Sequence, residues 1–596
     1  MSSVDSFNSS EPDLLCTVEP IMRISTSYFE IFFGIFYSQQ LITVSTEFVP
    51  PNIVVIMADD MGFDDVSFRG NNEFLTPNID ALAYHGKVLN HLYAAPMCTP
   101  TRASFLSGRY PIHTGSQHNV MFNEEPWDML ENQMTLAEIL QNNGYSTNLV
   151  GKWHLGMGSR EYTPTFKGFD YHYGYWGPYI DYYEKRVRQP SNFSMGYDFR
   201  KNLELECTPP NTYVTDLLTD EAERIILQRN NSLQPLFLFL SHMAPHSANP
   251  ENPLQAPQEK IDKFSYIPDI RRRTYAAMVS LLDESVGRIV RALDIAQILS
   301  NTILIFYSDN GAPTRGLLLN TGSNWPFRGQ KNSPWEGGVR VAGAIWSPLL
   351  PHCNGVFEEP IYVGDWLPTL AAASNINLEL NLDGINMWPD LTTCQTNTNI
   401  FNRRNREILH VMDDMWQLTS YMIGQYKYIQ GTTVNGTFDG FLSRRDENII
   451  DPRTEFYGQL ILDTITSRSL QRYESTPMTF ERIQILRAQN KVECGAPGPN
   501  CDPLRGDCLF NIWQDPCERN NLASQTEMQD ILQSIRLRLA ELRSTAIRPK
   551  TGGVMLDFDP ALHNCMWANY LEETPTEYIL NCDYYSPPCQ EFNIIG

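Results

Sequence analysis

Asp59-Asp60 and Asp309-Asn310 each close a short apolar run, Ile53 to Met57 before the first pair and Ile303 to Tyr307 before the second. If those runs are neighbouring parallel strands, both pairs stand at carboxyl ends, where open α/β sheets bind their ligands. Oxygen-bearing side chains converging there suit a hard cation, calcium or magnesium, rather than zinc. Each pair alone also reads as a solvated turn or helix cap, the ordinary meaning of Asn-Gly and of paired aspartates. Cys98, in Cys98-Thr99-Pro100-Thr101-Arg102, would as a thiol be an odd neighbour for an all-oxygen site, because soft sulfur selects soft metals. A helical register through Ser104 to Leu106, ended by Gly108, places residue 98 at a helix N-terminus, where free N–H groups favour an anion. Lys152 and His154 sit two apart, so on an extended segment they face one side with Trp153 turned away.

The Cys98 motif, continued as Ala103 to Arg109, has company. Asn52 to Asp60, Gly151-Lys152-Trp153-His154-Leu155-Gly156, Ser308 to Gly311 and Trp335 to Arg340 follow in the order of the sulfatase family's blocks. The chain resembles that family strongly over about residues 50 to 390, in the form of its arylsulfatase B-like branch. The resemblance implies that Cys98 is converted to formylglycine, with a formylglycine-generating enzyme as partner during maturation. It implies one calcium ion held by Asp59, Asp60, Asp309 and Asn310 together with the modified residue 98, and Arg102 orienting that residue. Lys152 and Lys331 would bind the sulfuryl oxygens, with Arg328 as the alternative to Lys331. His246, in Ala244-Pro245-His246, would contact the bridging ester oxygen, with His242 its competitor.

The implied reaction is a double displacement in which one hydroxyl of the aldehyde hydrate attacks sulfur and His246 or Lys331 protonates the leaving alcohol. His154 then takes a proton from the second hydroxyl and sulfate leaves. The substrate so implied is N-acetylgalactosamine 4-sulfate at the end of a glycosaminoglycan. Alternatives are small sulfated metabolites, phosphate or phosphonate esters, or a binding protein that keeps the fold without catalysis; no matched lysine or carboxylate is lost. Specificity falls to loops such as Tyr173 to Arg188 and Ala248 to Tyr266. Nearby carboxylates and bound sulfate are expected to favour protonated imidazole, giving an optimum on the acid side of neutrality.

The elements that must position these residues alternate. Leu236 to Leu240 reads as a third buried strand, Thr76-Pro77 opens a helix with threonine as N-cap, and Tyr275 to Leu293 carries apolar residues at helical spacing. Strands alternating with helices imply a mostly parallel central sheet covered on both faces, an α/β fold. After about residue 400 the runs shorten, Lys427 to Ile429 and Cys508 to Ile512, before a helix over about Gln525 to Arg543. By resemblance this is a smaller C-terminal domain with an antiparallel sheet and a helix. The expected division is a leader over 1–47, a catalytic domain over 48–400, the smaller domain over 401–550 and a cysteine-containing tail over 551–596 that folds back onto the body.

At 596 residues the chain is too long for one core. Its net charge of −24 argues against nucleic acid and anionic membranes as partners, and an anionic substrate then requires a locally basic pocket. The cysteines at 494, 501, 508, 517, 565, 582 and 589 lack the spacing of zinc ligands and read as disulfides. Sequons at Asn192, Asn230 and Asn435 agree with passage through the secretory route toward the lysosome or the exterior. The run from Tyr28 to Val44 reads as a signal peptide begun at Met22; Glu30, Gln39 and Gln40 interrupt it too often for a membrane anchor.

Overall fold

Ile53 to Met57 have no solvent exposure, the condition of a strand whose sheet is covered on both faces. They lie in β1 (Asn52–Ala58), in the middle of a ten-stranded sheet. The structure, a computed structural model, describes residues 48–188, 195–209, 211–229, 233–351, 355–394, 406–443, 445–554 and 556–572, and those from Pro50 onward form one compact unit. The other strands of this sheet are β2 (Lys87–Leu89), β3 (Ser146–Lys152), β4 (Tyr171–Tyr175), β5 (Arg200–Lys201), β6 (Glu204–Leu205), β7 (Leu236–Ser241), β8 (Thr302–Ser308), β9 (Gly343–Trp346) and β10 (Val356–Phe357). Their order is β10-β2-β9-β8-β1-β7-β3-β4-β5-β6. The inner strands β8, β1, β7, β3 and β4 are parallel, with Val54 level with Leu238 on one side and Leu304 on the other. Four carboxyl ends, those of β1, β3, β7 and β8, therefore open side by side.

Helices α1 (Pro77–His85), α2 (Cys98–Ser107), α3 (Leu136–Asn142), α4 (Val214–Leu227), α5 (Ile270–Ile295) and α6 (Trp366–Ala373) flank the sheet in two groups. α1 and α4 pack on α5, whereas α2, α3 and α6 pack together. Phe105 of α2 lies on Phe239 of β7 and Tyr307 of β8, which fixes α2 against the strands whose ends it serves. At α1 the expected cap is replaced. Thr76 stands at the N-cap with Pro77 following, but its hydroxyl donates to Asp80 and accepts the Ser67 N–H. The free N–H groups of Asn78 and Ile79 go instead to Asp283 of α5, at 2.9 and 2.8 Å.

A second, antiparallel sheet runs β11 (Glu407–Asp413), β12 (Leu418–Ile423), β13 (Tyr426–Gln430) and β14 (Cys508–Asn511), in that order, and is followed by α7 (Gln529–Thr545). The helix begins at Gln529 after one 3-10 turn over Thr526–Met528. Disulfides join Cys494 to Cys517 and Cys501 to Cys508, and Cys207, Cys394 and Cys565 are disulfide-bonded as well. The described part of the tail lies on the body, with Trp567 N–H donating to Tyr197 and Leu571 N–H to Gly158. Asn435 is exposed. Asn192, Asn230, Cys582, Cys589 and the leader, with its signal segment, lie outside the described residues. Among the described residues no helix is long and apolar enough to cross a membrane.

Candidate active site

Asp59 and Asp60 follow β1 directly and Asp309 and Asn310 follow β8, so the parallel register of these strands brings the two pairs together. The Asp60 N–H donates to Asp309 Oδ1 at 3.1 Å, and Asn310 Nδ2 donates to Asp60 Oδ1 at 2.7 Å. Asp60 adopts φ 61°, a left-handed conformation that aspartate tolerates and that turns its carboxylate across to β8. Asn310-Gly311 is more than a turn: a Cβ on Gly311 would stand 1.9 Å from the carbonyl oxygen of Gly337, so only glycine allows this approach. All four side chains are fully buried. Asp59 Oδ1, Asp60 Oδ2 and Asn310 Oδ1 are buried with no hydrogen-bond partner. Burial and the neighbouring Asp59 push the Asp309 carboxyl above its usual range despite Arg102, Lys152 and Lys331. Orphaned hard oxygens under mutual repulsion are what a calcium or magnesium ion relieves, so this donor set fits such an ion.

Cys98 opens α2, the helix closed by Gly108 in the left-handed conformation, as the sequence implied. Its sulfur lies within 4.8 Å of carboxylate oxygens of both Asp59 and Asp309. The thiol is free, and burial pushes its pKa up, so as a thiol it is a poor nucleophile. Arg102, one turn along, donates to Asp309 Oδ2 at 2.9 Å, Ser241 Oγ at 2.5 Å and the Lys152 carbonyl at 3.4 Å. It thereby holds a carboxylate beside residue 98. Lys152, the last residue of β3, gives Nζ to Asp59 Oδ2 at 2.6 Å.

β3 stops at Lys152, and His154 takes φ 63°, which turns its ring inward beside the same cluster. Its Nε2 lies 2.7 Å from the Met121 carbonyl oxygen and 3.0 Å from Thr99 Oγ1. A carbonyl oxygen only accepts, so Nε2 carries the proton. Nδ1 is a buried lone pair with no partner. His246 follows β7; its Nδ1 donates to the Ser247 carbonyl at 2.6 Å, and its Nε2 stands 3.4 Å from Asp60 Oδ2. Burial lowers His246 to about 3, outweighing the Asp60 carboxylate, and burial together with Lys152 and Arg102 holds His154 well below the usual histidine range. The expectation of protonated imidazoles favoured by the carboxylates is thus corrected: desolvation and the nearby cations win.

Lys331 gives Nζ to Asp60 Oδ1 at 2.5 Å and stays charged, since Asp60 overcomes the opposing effect of burial. The two competitors lie elsewhere. His242 is buried away from the cluster, with Nε2 2.9 Å from Ser285 Oγ of α5. Arg328 lies 3.6 Å over the Trp335 ring and donates to backbone carbonyls of Asp439 and Cys501. Sequence reasoning missed Thr99, Met121 and Ser241, which orient His154 and Arg102, and Tyr179, which stacks on His246 at 5.6 Å. Thr99 lies inside the Cys98 motif and Tyr179 inside the Tyr173 to Arg188 loop; Met121 and Ser241 carry no local signal.

The family model described as Sulfatase matches residues 51–376, which include every residue of this cluster. Arylsulfatase J of Mus musculus is 32% identical over 88% of this chain and 81% of its own length. Steryl-sulfatase of Homo sapiens is 30% identical over 57% of this chain and 69% of its own, and N-acetylgalactosamine-6-sulfatase of Mus musculus 32% identical over 63% and 71%. Among solved structures, Ps i-CgsB in complex with k-i-k-neocarrahexaose aligns with a TM-score of 0.63 at 26% identity, over 84% of this chain and 94% of that one.

Proposed function

The chain belongs to the sulfatase family and is a sulfuric ester hydrolase, and from that premise we propose that it cleaves a sugar sulfate using formylglycine at position 98 and one calcium ion. The observation that carries this reading is the meeting of Cys98 with Asp59 and Asp309 beside the partnerless oxygens of Asp59, Asp60 and Asn310. Formylglycine, made from Cys98 by a formylglycine-generating enzyme, replaces a soft sulfur with oxygen. Asp59, Asp60, Asp309, Asn310 and residue 98 would hold the calcium, which would supply two positive charges, and the aldehyde hydrate would supply an oxygen nucleophile with a second hydroxyl in reserve.

The protein's own groups do the rest. Three buried carboxylates, of Asp59, Asp60 and Asp309, face three buried cations, Arg102, Lys152 and Lys331. A divalent ion tips that balance positive, which reconciles an anionic substrate with a chain of net charge −24. Lys152 and Lys331 bind the sulfuryl oxygens. Of the two candidate acids, Lys331 retains its protons, whereas His246 Nε2 holds a lone pair because its Nδ1–H is committed to Ser247. Lys331 therefore protonates the leaving alcohol. His154 Nδ1, free and unprotonated, accepts the proton that must leave position 98.

N-acetylgalactosamine 4-sulfate at a glycosaminoglycan end is the proposed substrate, supported by a relative named for N-acetylgalactosamine 6-sulfate and a structural neighbour bound to a neocarrahexaose. Disulfides in the C-terminal part support the secretory route, lysosomal or secreted. We retain 48–400 as the catalytic domain, 401–550 as the smaller domain and 551–596 as the tail. The test is turnover on a panel of sulfated sugars, steryl sulfate and 4-nitrophenyl sulfate. Highest kcat/KM on a sulfated galactosamine supports the reading; highest kcat/KM on the steryl or aryl ester overturns it.

A further inference from the structure

We infer that Arg328 is a positioning residue for Lys331, the point at which loops beside the C-terminal sheet, with their disulfides, grip the loop that carries that lysine. The inference rests on the reading of Lys331 as a sulfuryl ligand. Lys331 belongs to no helix or strand, so nothing in its own segment's secondary structure fixes its Nζ against Asp60.

Within the body, the Lys331 N–H donates to the Ala312 carbonyl and the Asn332 N–H to the Pro96 carbonyl; the flanks of the segment, Arg328 and Trp335, are held by residues about one hundred or more positions later. The Arg328 guanidinium is sandwiched between the Trp335 ring, at 3.6 Å, and the C-terminal part, where it donates to the Asp439 carbonyl, the Cys501 carbonyl and Asn500 Oδ1. Trp335 Nε1 donates to Asp439 Oδ1 at 2.9 Å, so both flanks of Lys331 end on one residue. The Gly329 N–H donates to Gly440, and Thr433 Oγ1 to the Asn332 carbonyl. The Cys501–Cys508 disulfide packs in one apolar cluster with Trp335. Cys494 and Cys517 pack with Phe327, on the Lys331 loop, and with Phe63, three residues past Asp60. The same C-terminal segment thus braces both partners of the Lys331–Asp60 contact.

Arg328 itself faces away from the chemistry. The charged groups that act on it are Glu518, Asp439 and Asp502, none of them in the site, and its planar fork makes bonds that an ammonium cannot reproduce. Its effect on sulfate must therefore pass through the loop.

The experiment measures inorganic sulfate affinity by calorimetry on the calcium-loaded full chain, for the parent protein, Lys331→Ala, Arg328→Met, Arg328→Lys and Trp335→Phe. Calcium affinity is measured in parallel. Arg328→Met is expected to weaken sulfate about tenfold, as Lys331→Ala does, with calcium affinity unchanged. Arg328→Lys, which keeps the charge but not the fork, is expected to weaken it as much. Restoration of parent affinity by Arg328→Lys means that charge alone matters and overturns the inference, as does unchanged affinity in Arg328→Met. If Arg328→Met does not fold, Trp335→Phe decides: weaker sulfate binding supports the grip, and unchanged binding overturns it. Unchanged affinity in Lys331→Ala instead removes the reading of Lys331 on which the inference stands.

Discussion

The Met121 carbonyl oxygen lies 2.7 Å from His154 Nε2, in a site with no solvent access to the ring. One backbone acceptor thereby sets the tautomer and leaves Nδ1 as the available base. His154→Ala is expected to lower turnover roughly a hundredfold or more while still forming the sulfated enzyme. Intact-protein mass spectrometry checks this; a slow variant that never accumulates sulfate on residue 98 refutes the assignment. Thr99→Val should show the same accumulation more weakly, and Thr99→Ser should restore the parent behaviour.

Removal of calcium by a chelator is expected to abolish turnover and lower Tm, with both restored by added calcium, because carboxylates that repel one another lose the charge that joins them. Differential scanning calorimetry with and without chelator is the check. Asp309→Asn should lose calcium affinity while staying folded. Asp309→Ala is a poorer probe, since it also removes the hydrogen-bond acceptor nearest to buried Arg102, leaving that cation with Asp59 at 3.7 Å; the proposed ligand carboxylates lie inside the fold, not on an exposed rim.

Buried neutral histidines should cost stability in acid. His172 is lowered by burial to about 4 and His242 to about 3, so the native protein binds fewer protons than the unfolded chain below the ordinary histidine pKa of about 6.5. Their stabilisation is full above that value and is lost progressively as pH falls toward the folded values, about 2 kcal/mol for each by pH 5. Between neutral pH and about 5, Tm of the parent protein should shift downward relative to that of His242→Gln, whatever the opposing effect of the buried Asp64 and Asp283 carboxyls, which burial raises to about 7 and about 8. Equal changes of Tm in the two proteins over that range contradict the buried neutral histidine.

Lys427 of β13 bridges Glu336 Oε1 at 2.8 Å and Glu518 Oε1 at 2.9 Å, all fully buried where the second sheet meets the first. Lys427→Met leaves Glu518 without its cation and Glu336 with Arg340 alone, at 3.5 Å, and is expected to destabilise by roughly 3–5 kcal/mol. Chemical denaturation measures it; a loss below about 1 kcal/mol, the scale of an exposed pair, would refute a structural role.

Much of this arrangement was legible because it depended on short runs. β1, β7 and β8 announced themselves as apolar segments ending in acidic or histidine-bearing turns, and Gly108 closed α2 where the register required. What stayed hidden depends on distant partners. Thr76 looks like the cap of α1 until Asp283, far along the chain, supplies a better acceptor. Arg328 remains an alternative to Lys331 as a sulfate ligand until Asp439 and Cys501 claim it. The depressed pKa values of His154 and His246 are not legible in sequence because carboxylate neighbours can be inferred from motifs, whereas complete burial cannot.

The most direct measurement is mass spectrometry of the peptide containing residue 98, on enzyme from a secretory host, with specific activity determined on the same samples. The expected result is formylglycine at position 98, in a fraction that rises in proportion to activity across preparations. Fully active enzyme carrying only unmodified Cys98 would contradict the mechanism at its centre.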